Sequence, residues 1–142
     1  MKTGFTCSTF DLLHPGHVQM LREVKSMCDY MIVGLQTDPT IDRPEKNKPV
    51  QSIVERYIQL SAIKYVDEIV PYTTERDLED VLSCYDINLR AVGIEYMDKD
   101  FTGKEICNDR NIQIYYNKRD HRFSSTGLRH QVFLCEDEKV LR

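Results

Sequence analysis

"CSTFDLLHPGHVQML", residues 7–21, places two histidines one helical turn apart around a Pro-Gly pair, at a change of sequence period. Ahead of it, "MKTGFTC" (1–7) has the make-up of a short strand. Behind the Pro-Gly pair, Val18, Leu21, Val24 and Cys28 recur at helical spacing, with Gln19, Arg22, Glu23, Lys25 and Asp29 on the other side. His14 and His17 therefore fall at a helix N-terminus, where unpaired N–H groups and the helix dipole favour an anion. A single histidine there reads as a cap or a packing residue. Two of them, flanked by Pro15 and Gly16, read as a site.

Working outward, strand-like and helix-like segments alternate. "YMIVGLQ" (30–36) is a continuous apolar run, as expected of a strand buried on both faces. "TDPTIDRPEKNKPVQ" (37–51) is polar, carries three prolines and reads as a long functional loop. "SIVERYIQLSAIKY" (52–65) opens with Ser52 three residues before Glu55, a capping box, and is expected to be a helix. "VDEIVPY" (66–72) reads as a strand ending at Pro71, and "TERDLEDVLSCY" (74–85) as a helix with Leu78, Val81, Leu82 and Tyr85 inward. "LRAVGI" (89–94) and "IQIYY" (112–116) read as strands around a short helix, "KEICNDR" (104–110). A basic loop, "NKRDHRFSS", then leads to a closing helix, "TGLRHQVFL" (126–134), and an acid-rich tail over 135–142. The expectation is one α/β domain over residues 1–142: a Rossmann-like five-stranded parallel sheet with helices on both faces. Ligands of such sheets bind beyond the carboxyl ends of the strands, and the opening stretch lies at the end of the first.

Bulk properties narrow the partners. A formal charge of −4 argues against a general nucleic-acid binder, which carries a basic excess. Lys46, Lys48, Arg119, Arg122 and Arg129 nonetheless gather in two short stretches, which suits a small anionic ligand. Five scattered cysteines without a C-x-x-C pair, and no secretory leader, are expected of free thiols in a reducing, cytoplasmic setting. No apolar run approaches the ~20 residues that span a bilayer.

Neither G-x-x-x-x-G-K-[ST] nor G-x-G-x-x-G occurs, so phosphate must be held in another way. Backbone N–H groups around Thr9 and Phe10 and at the helix start by Gly16 are candidates, joined by imidazole donors from His14 and His17. Donors aimed at charge that grows in a transition state are worth about 10²–10³ each in rate. Asp11 is expected to orient this loop by bonding backbone N–H groups, and Asp38 to shape a strand-end turn. Ser124, Ser125 and Thr126 suit both a helix cap and a phosphate seat, because the two uses share the same N–H groups.

"TFDLLHPGH" (9–17) resembles the G-T-F-D-x-x-H-x-G-H signature of the cytidylyltransferase-like nucleotidyltransferases, most of all their glycerol-3-phosphate branch. "DYMIVGLQTD" (29–38), "ERY" (55–57), "YVDEIVPY" (65–72) and "RFSSTGLR" (122–129) resemble further family segments, the last being the motif that holds a triphosphate. The resemblance implies attack of a substrate phosphate on the α-phosphorus of CTP or ATP, with release of pyrophosphate. His14 and His17 would hold phosphate oxygens, Lys46 would close over the α-phosphate, and Arg119, Arg129 and Ser124 to Thr126 would hold the outer phosphates. Asp11, Asp38, Lys48, Arg56, Lys64 and Glu95 would support the substrates or the loops around them. Mg²⁺ would bridge the phosphates without side-chain ligands, and the family's habit implies a homodimer.

The chain also departs from the family pattern. Ser8 replaces a glycine, and so either keeps a negative φ or narrows the pocket. Lys64 replaces an arginine, and "VGIEY" (92–96) replaces Gly-Asp-Asp-Trp. CTP is the expected nucleotide from the opening stretch and "YVDEIVPY", with a small phosphorylated alcohol or amine as acceptor. Arg129 and Glu95-Tyr96 instead resemble adenylyltransferases for sugar or cofactor phosphates. A non-catalytic nucleotide-binding module is the alternative of another class.

Overall fold

A computed structural model of the chain describes residues 1–118 and 123–141. Five parallel strands form one sheet in the order β3-β2-β1-β4-β5: β1 (Thr3–Ser8), β2 (Tyr30–Gln36), β3 (Glu68–Tyr72), β4 (Leu89–Gly93) and β5 (Gln113–Asn117). The helices are α1 (Pro15–Lys25), α2 (Ile53–Ser61), α3 (Glu75–Cys84), α4 (Lys104–Asp109) and α5 (Ser125–Leu141). The expected α/β sheet is the observed one. Strand order reverses between β1 and β4, and that point directs a ligand to the carboxyl ends of those two strands.

Alternation along β2 explains the two-sided core. Met31, Val33 and Leu35 pack with Leu21, Val24 and Leu60 beneath α1 and α2. Ile32 faces the other way and packs with Phe5, Leu78, Leu82 and Cys107 beneath α3 and α4. Gly34 also faces that side, where a Cβ would stand 2.9 Å from Cys7 Cβ and 3.0 Å from the Phe5 ring. Only glycine lets the two side chains close over β2 there.

Several boundaries differ from expectation. α2 stops at Ser61 instead of running to Tyr65, because Ile63, Tyr65 and Val66 turn down onto the core while Ile63 N donates to Leu60 O. β3 runs through Pro71 to Tyr72; it is an edge strand, where a missing N–H is tolerated. The acid-rich residues expected as a tail continue α5 to Leu141, with no buried residue along the helix. Among the described residues no helix is long and apolar enough to cross a membrane, and all five cysteines are free thiols.

Candidate active site

The loop from β1 to α1 is bent by two residues in the left-handed region, Phe10 (φ 50°) and Leu12 (φ 51°). Each such residue costs about 1–2 kcal/mol. The Phe10 side chain is completely buried in the α1/α2 core, which returns about 1.5–3 kcal/mol and holds the bend. Between them Asp11, only 3% exposed, accepts from Val50 N at 2.9 Å and Gln51 N at 2.9 Å, and pairs with Arg129. Leu12 N donates to Gln51 Oε1 at 2.8 Å. Asp11 thus does orient a loop, but one forty residues downstream. Burial pushes its carboxyl pKa up; the bonds from Gln51, Val50 and Arg129 outweigh this and hold it below the ordinary 3.8.

His14 is the N-cap of α1, and its Nδ1 accepts from Gly16 N at 3.0 Å. His17 Nδ1 in turn accepts from His14 N at 3.3 Å. This is a capping box built from two imidazoles, with Pro15 in the first turn. An imidazole that accepts at Nδ1 carries its proton on Nε2 when neutral. The backbone therefore sets the tautomer that makes each ring a donor through Nε2. The rings lie 4.0 Å apart, and Phe10 packs against His17 at 5.3 Å.

Both histidines line a cleft of about 610 Å³ at the carboxyl ends of β1 and β4. Thr9, Gly16, Lys46 and Ser124 to Thr126 line it too, as the sequence reading expects. Phe10 lies beneath, so only its backbone can face a ligand. Ser8 ends β1 with a negative φ, so the departure from glycine costs no strain, and its side chain joins the cleft wall. Ser124 Oγ caps α5 by accepting from Gly127 N at 2.9 Å, and Ser125 Oγ donates to the Asp11 carbonyl at 2.8 Å. Glu95 also lines the cleft, its carboxylate folded over Gly93.

Other expected residues stand elsewhere. Arg129, expected on the outer phosphates, is the exception: it lines an adjoining cavity with Lys46, Ser125 and Thr126 while pairing with Asp11, and among the described residues its buried Nε has no hydrogen-bond partner. Lys64 follows the C-terminal end of α2, with its Nζ over the Tyr65 ring, and does not line this cleft. Lys48 is exposed and not part of the cleft wall, although its field helps to hold down the Asp38 pKa. Asp38 caps the short turn Pro39–Ile41, accepting from Thr40 N at 2.9 Å, which is the turn-shaping role. Bonds from the Thr40 side chain and then its backbone depress its pKa most. Arg119 and Arg122 lie outside the described residues.

Arg56, expected only as support, is the main tie of the site. It is 2% exposed, and its guanidinium donates to the carbonyls of Thr9 (2.9 Å), Gln36 (2.6 Å), Thr37 (2.7 Å) and Gln51 (3.1 Å). One side chain thereby joins the ends of β1 and β2 to the start of α2. Arg43 pairs with Glu75, and Glu75 N donates to Asp42 Oδ2 at 2.6 Å. Residues 44–49, with Lys46 at the cleft, are thus a short strap pinned at both ends. The sequence reading also missed Arg90, a buried cation on β4 and in the cleft wall; a charge inside the apolar run "LRAVG" was its one signal.

The sequence matches the family described as cytidylyltransferase-like over residues 5–131. It is 29% identical over 133 residues to a glycerol-3-phosphate cytidylyltransferase of Staphylococcus aureus, covering 94% of this chain and 96% of that protein. It is 36% identical over 106 residues to the bifunctional protein HldE of Paramagnetospirillum magneticum, covering 74% of this chain but 22% of that protein. In fold it is similar to a lipopolysaccharide core biosynthesis protein of Thermoplasma volcanium, with a TM-score of 0.69 at 21% identity over 85% of this chain and 99% of that one.

Proposed function

The chain belongs to the cytidylyltransferase-like family, and from that premise we propose that it transfers CMP from CTP to a small phosphorylated acceptor with release of pyrophosphate. One observation carries the reading: His14 and His17, with Nδ1 spent on backbone amides, line a cleft shared with Lys46 and the start of α5, which leaves Nε2 as the donor nitrogen of each neutral ring. The α-phosphate of the nucleotide lies at the start of α1, where the imidazoles and backbone N–H groups meet the charge that builds on its oxygens. Lys46 reaches the same phosphate from the strap as a point charge. The acceptor phosphate is already anionic and needs no base, so the protein's part is in-line positioning and neutralisation of charge. Mg²⁺ would come with the triphosphate and would supply positive charge to its phosphates. Arg119, by the family resemblance, completes the triphosphate site, and the assembly is a homodimer.

Transfer of AMP from ATP to a sugar or cofactor phosphate is the second reading, favoured by Glu95 and Tyr96 in the cleft wall, the pair that resembles adenylyltransferases. Thermal stabilisation by each triphosphate with Mg²⁺ separates the two. A ligand at a hundred times its dissociation constant adds about 2.7 kcal/mol, a clear rise in melting temperature. CTP is expected to give that rise. A rise with ATP and none with equal CTP overturns the CTP assignment, and pyrophosphate release with a panel of phosphorylated alcohols and amines tests the transfer itself.

A further inference from the structure

Arg90 stands on β4 opposite Phe5, three residues before the end of β1 and so about 10 Å of strand below the rim where the histidines sit. It is 3% exposed, yet it forms part of the cleft wall. Its Nη1 donates to the Thr102 carbonyl, its guanidinium carbon lies 5.0 Å from the centre of the Phe101 ring, and among the described residues its buried Nε has no hydrogen-bond partner. Gly103, at φ 84°, makes the room: a Cβ there would stand 3.0 Å from Nη1.

Among the described residues no carboxylate lies within ion-pair distance of the Arg90 guanidinium. The titratable groups facing it are Tyr72 and Cys107, whose thiol is in hydrogen-bond contact with the guanidinium; burial raises the pKa of both, outweighing the pull of Arg90. Of the carboxylates of the same cleft, Glu75 pairs with Arg43 and Asp100 accepts from Phe101 N at 3.1 Å. A buried guanidinium without a counter-charge is costly to keep, and a ligand that brings one recovers that cost. The edge of a guanidinium that bears Nε presents N–H groups suited to a carboxylate or phosphate.

We propose that Arg90 seats an oxyanion carried by the acceptor at the end remote from its reacting phosphate, so that ammonium-ended acceptors are rejected. This rests on the transfer reading above and deepens it, since a phosphorylated alcohol and a phosphorylated amine stop being equivalent. An acceptor whose phosphate meets the histidines extends its far end down the cleft toward Arg90.

The test measures binding of four probes to the full chain by titration calorimetry: glycerol 3-phosphate, ethanolamine phosphate, 3-phosphoglycerate and propane-1,3-diol bisphosphate. The last two bear a carboxylate or a phosphate at the far end, and the tighter of them identifies which oxyanion is read. The anion-ended probes are expected to bind at least about tenfold more tightly than ethanolamine phosphate, the size of a modest charge discrimination. Arg90→Met should erase that ranking and Arg90→Lys should keep part of it, with the thermal shift by CTP unchanged in both. Equal or tighter binding of ethanolamine phosphate overturns the proposal, as does a ranking that survives in Arg90→Met. Should Arg90→Met fail to fold, the wild-type ranking and Arg90→Lys decide. Pyrophosphate release is followed with the same probes. Anion-selective binding without release from either triphosphate defeats the transfer reading and leaves the seat standing, whereas release that is indifferent to the far-end charge defeats the seat alone. Binding of no probe defeats both.

Discussion

The amide of His14 donates to Nδ1 of His17, 3.3 Å away, so the second histidine caps the helix that the first one begins. Replacing His17 by Ala is therefore expected to have two separable effects. The lost cap costs about 0.5–2 kcal/mol of stability. The lost Nε2 donor lowers turnover by at least about a hundredfold while triphosphate affinity changes much less, because such a donor acts mainly in the transition state. Turnover, nucleotide affinity and urea unfolding are measured side by side. Equal losses of turnover and affinity would make His17 a ground-state binder.

Arg56→Met should lower stability by about 3 kcal/mol or more. It leaves the carbonyls of Thr9, Gln36, Thr37 and Gln51 without their shared donor, and each buried unsatisfied group costs about 1–3 kcal/mol. Urea denaturation gives the value. A loss below about 1 kcal/mol, the worth of one ordinary hydrogen bond, would mean that water replaces the guanidinium at no great cost.

Asp11 predicts a specific acid limb. Its folded pKa is held below 3.8, so the carboxylate contributes stability that is fully present above that ordinary value and is lost as pH falls through the folded one. Unfolding free energies of the wild type and Asp11→Asn should differ by a constant amount from neutral pH down to about pH 4, and converge below it. A gap that closes near pH 6 would assign the effect to another group.

The strap gives a kinetic expectation. Thr37 and Asp38 are already fixed by Tyr72, Arg56 and Thr40, so mobility is confined to residues 44–49 and not spread over all of 37–49. Amide exchange over 44–49 should be fast in the free chain and slowed by saturating CTP with Mg²⁺, as Lys46 gains a phosphate partner. Exchange there that ignores both triphosphates would remove Lys46 from the phosphate site.

What the sequence revealed of all this followed the range of the interactions. Local patterns were readable: the two-sided apolar run of β2, the Ser52–Glu55 capping box and the histidines at the start of α1 all rest on neighbours within a few residues. The end of α2 was misjudged because Ile63, Tyr65 and Val66 obey the core beneath them and not helix propensity. Arg56, Arg90 and the capture of Arg129 by Asp11 were illegible for the same reason. Their partners lie between 5 and 118 residues away, and no spacing rule announces a carbonyl as an acceptor.

Pro71 bears on how two copies of this chain can meet. It lies on the outermost strand, exposed, with Leu35 opposite it on the inner side. A strand from another molecule arriving there would find one fewer amide along a border only five residues long. Sheet-to-sheet fusion across β3 is thus disfavoured by a single pyrrolidine ring, which leaves helical faces or the β5 side as the surfaces through which copies can associate without running their sheets together.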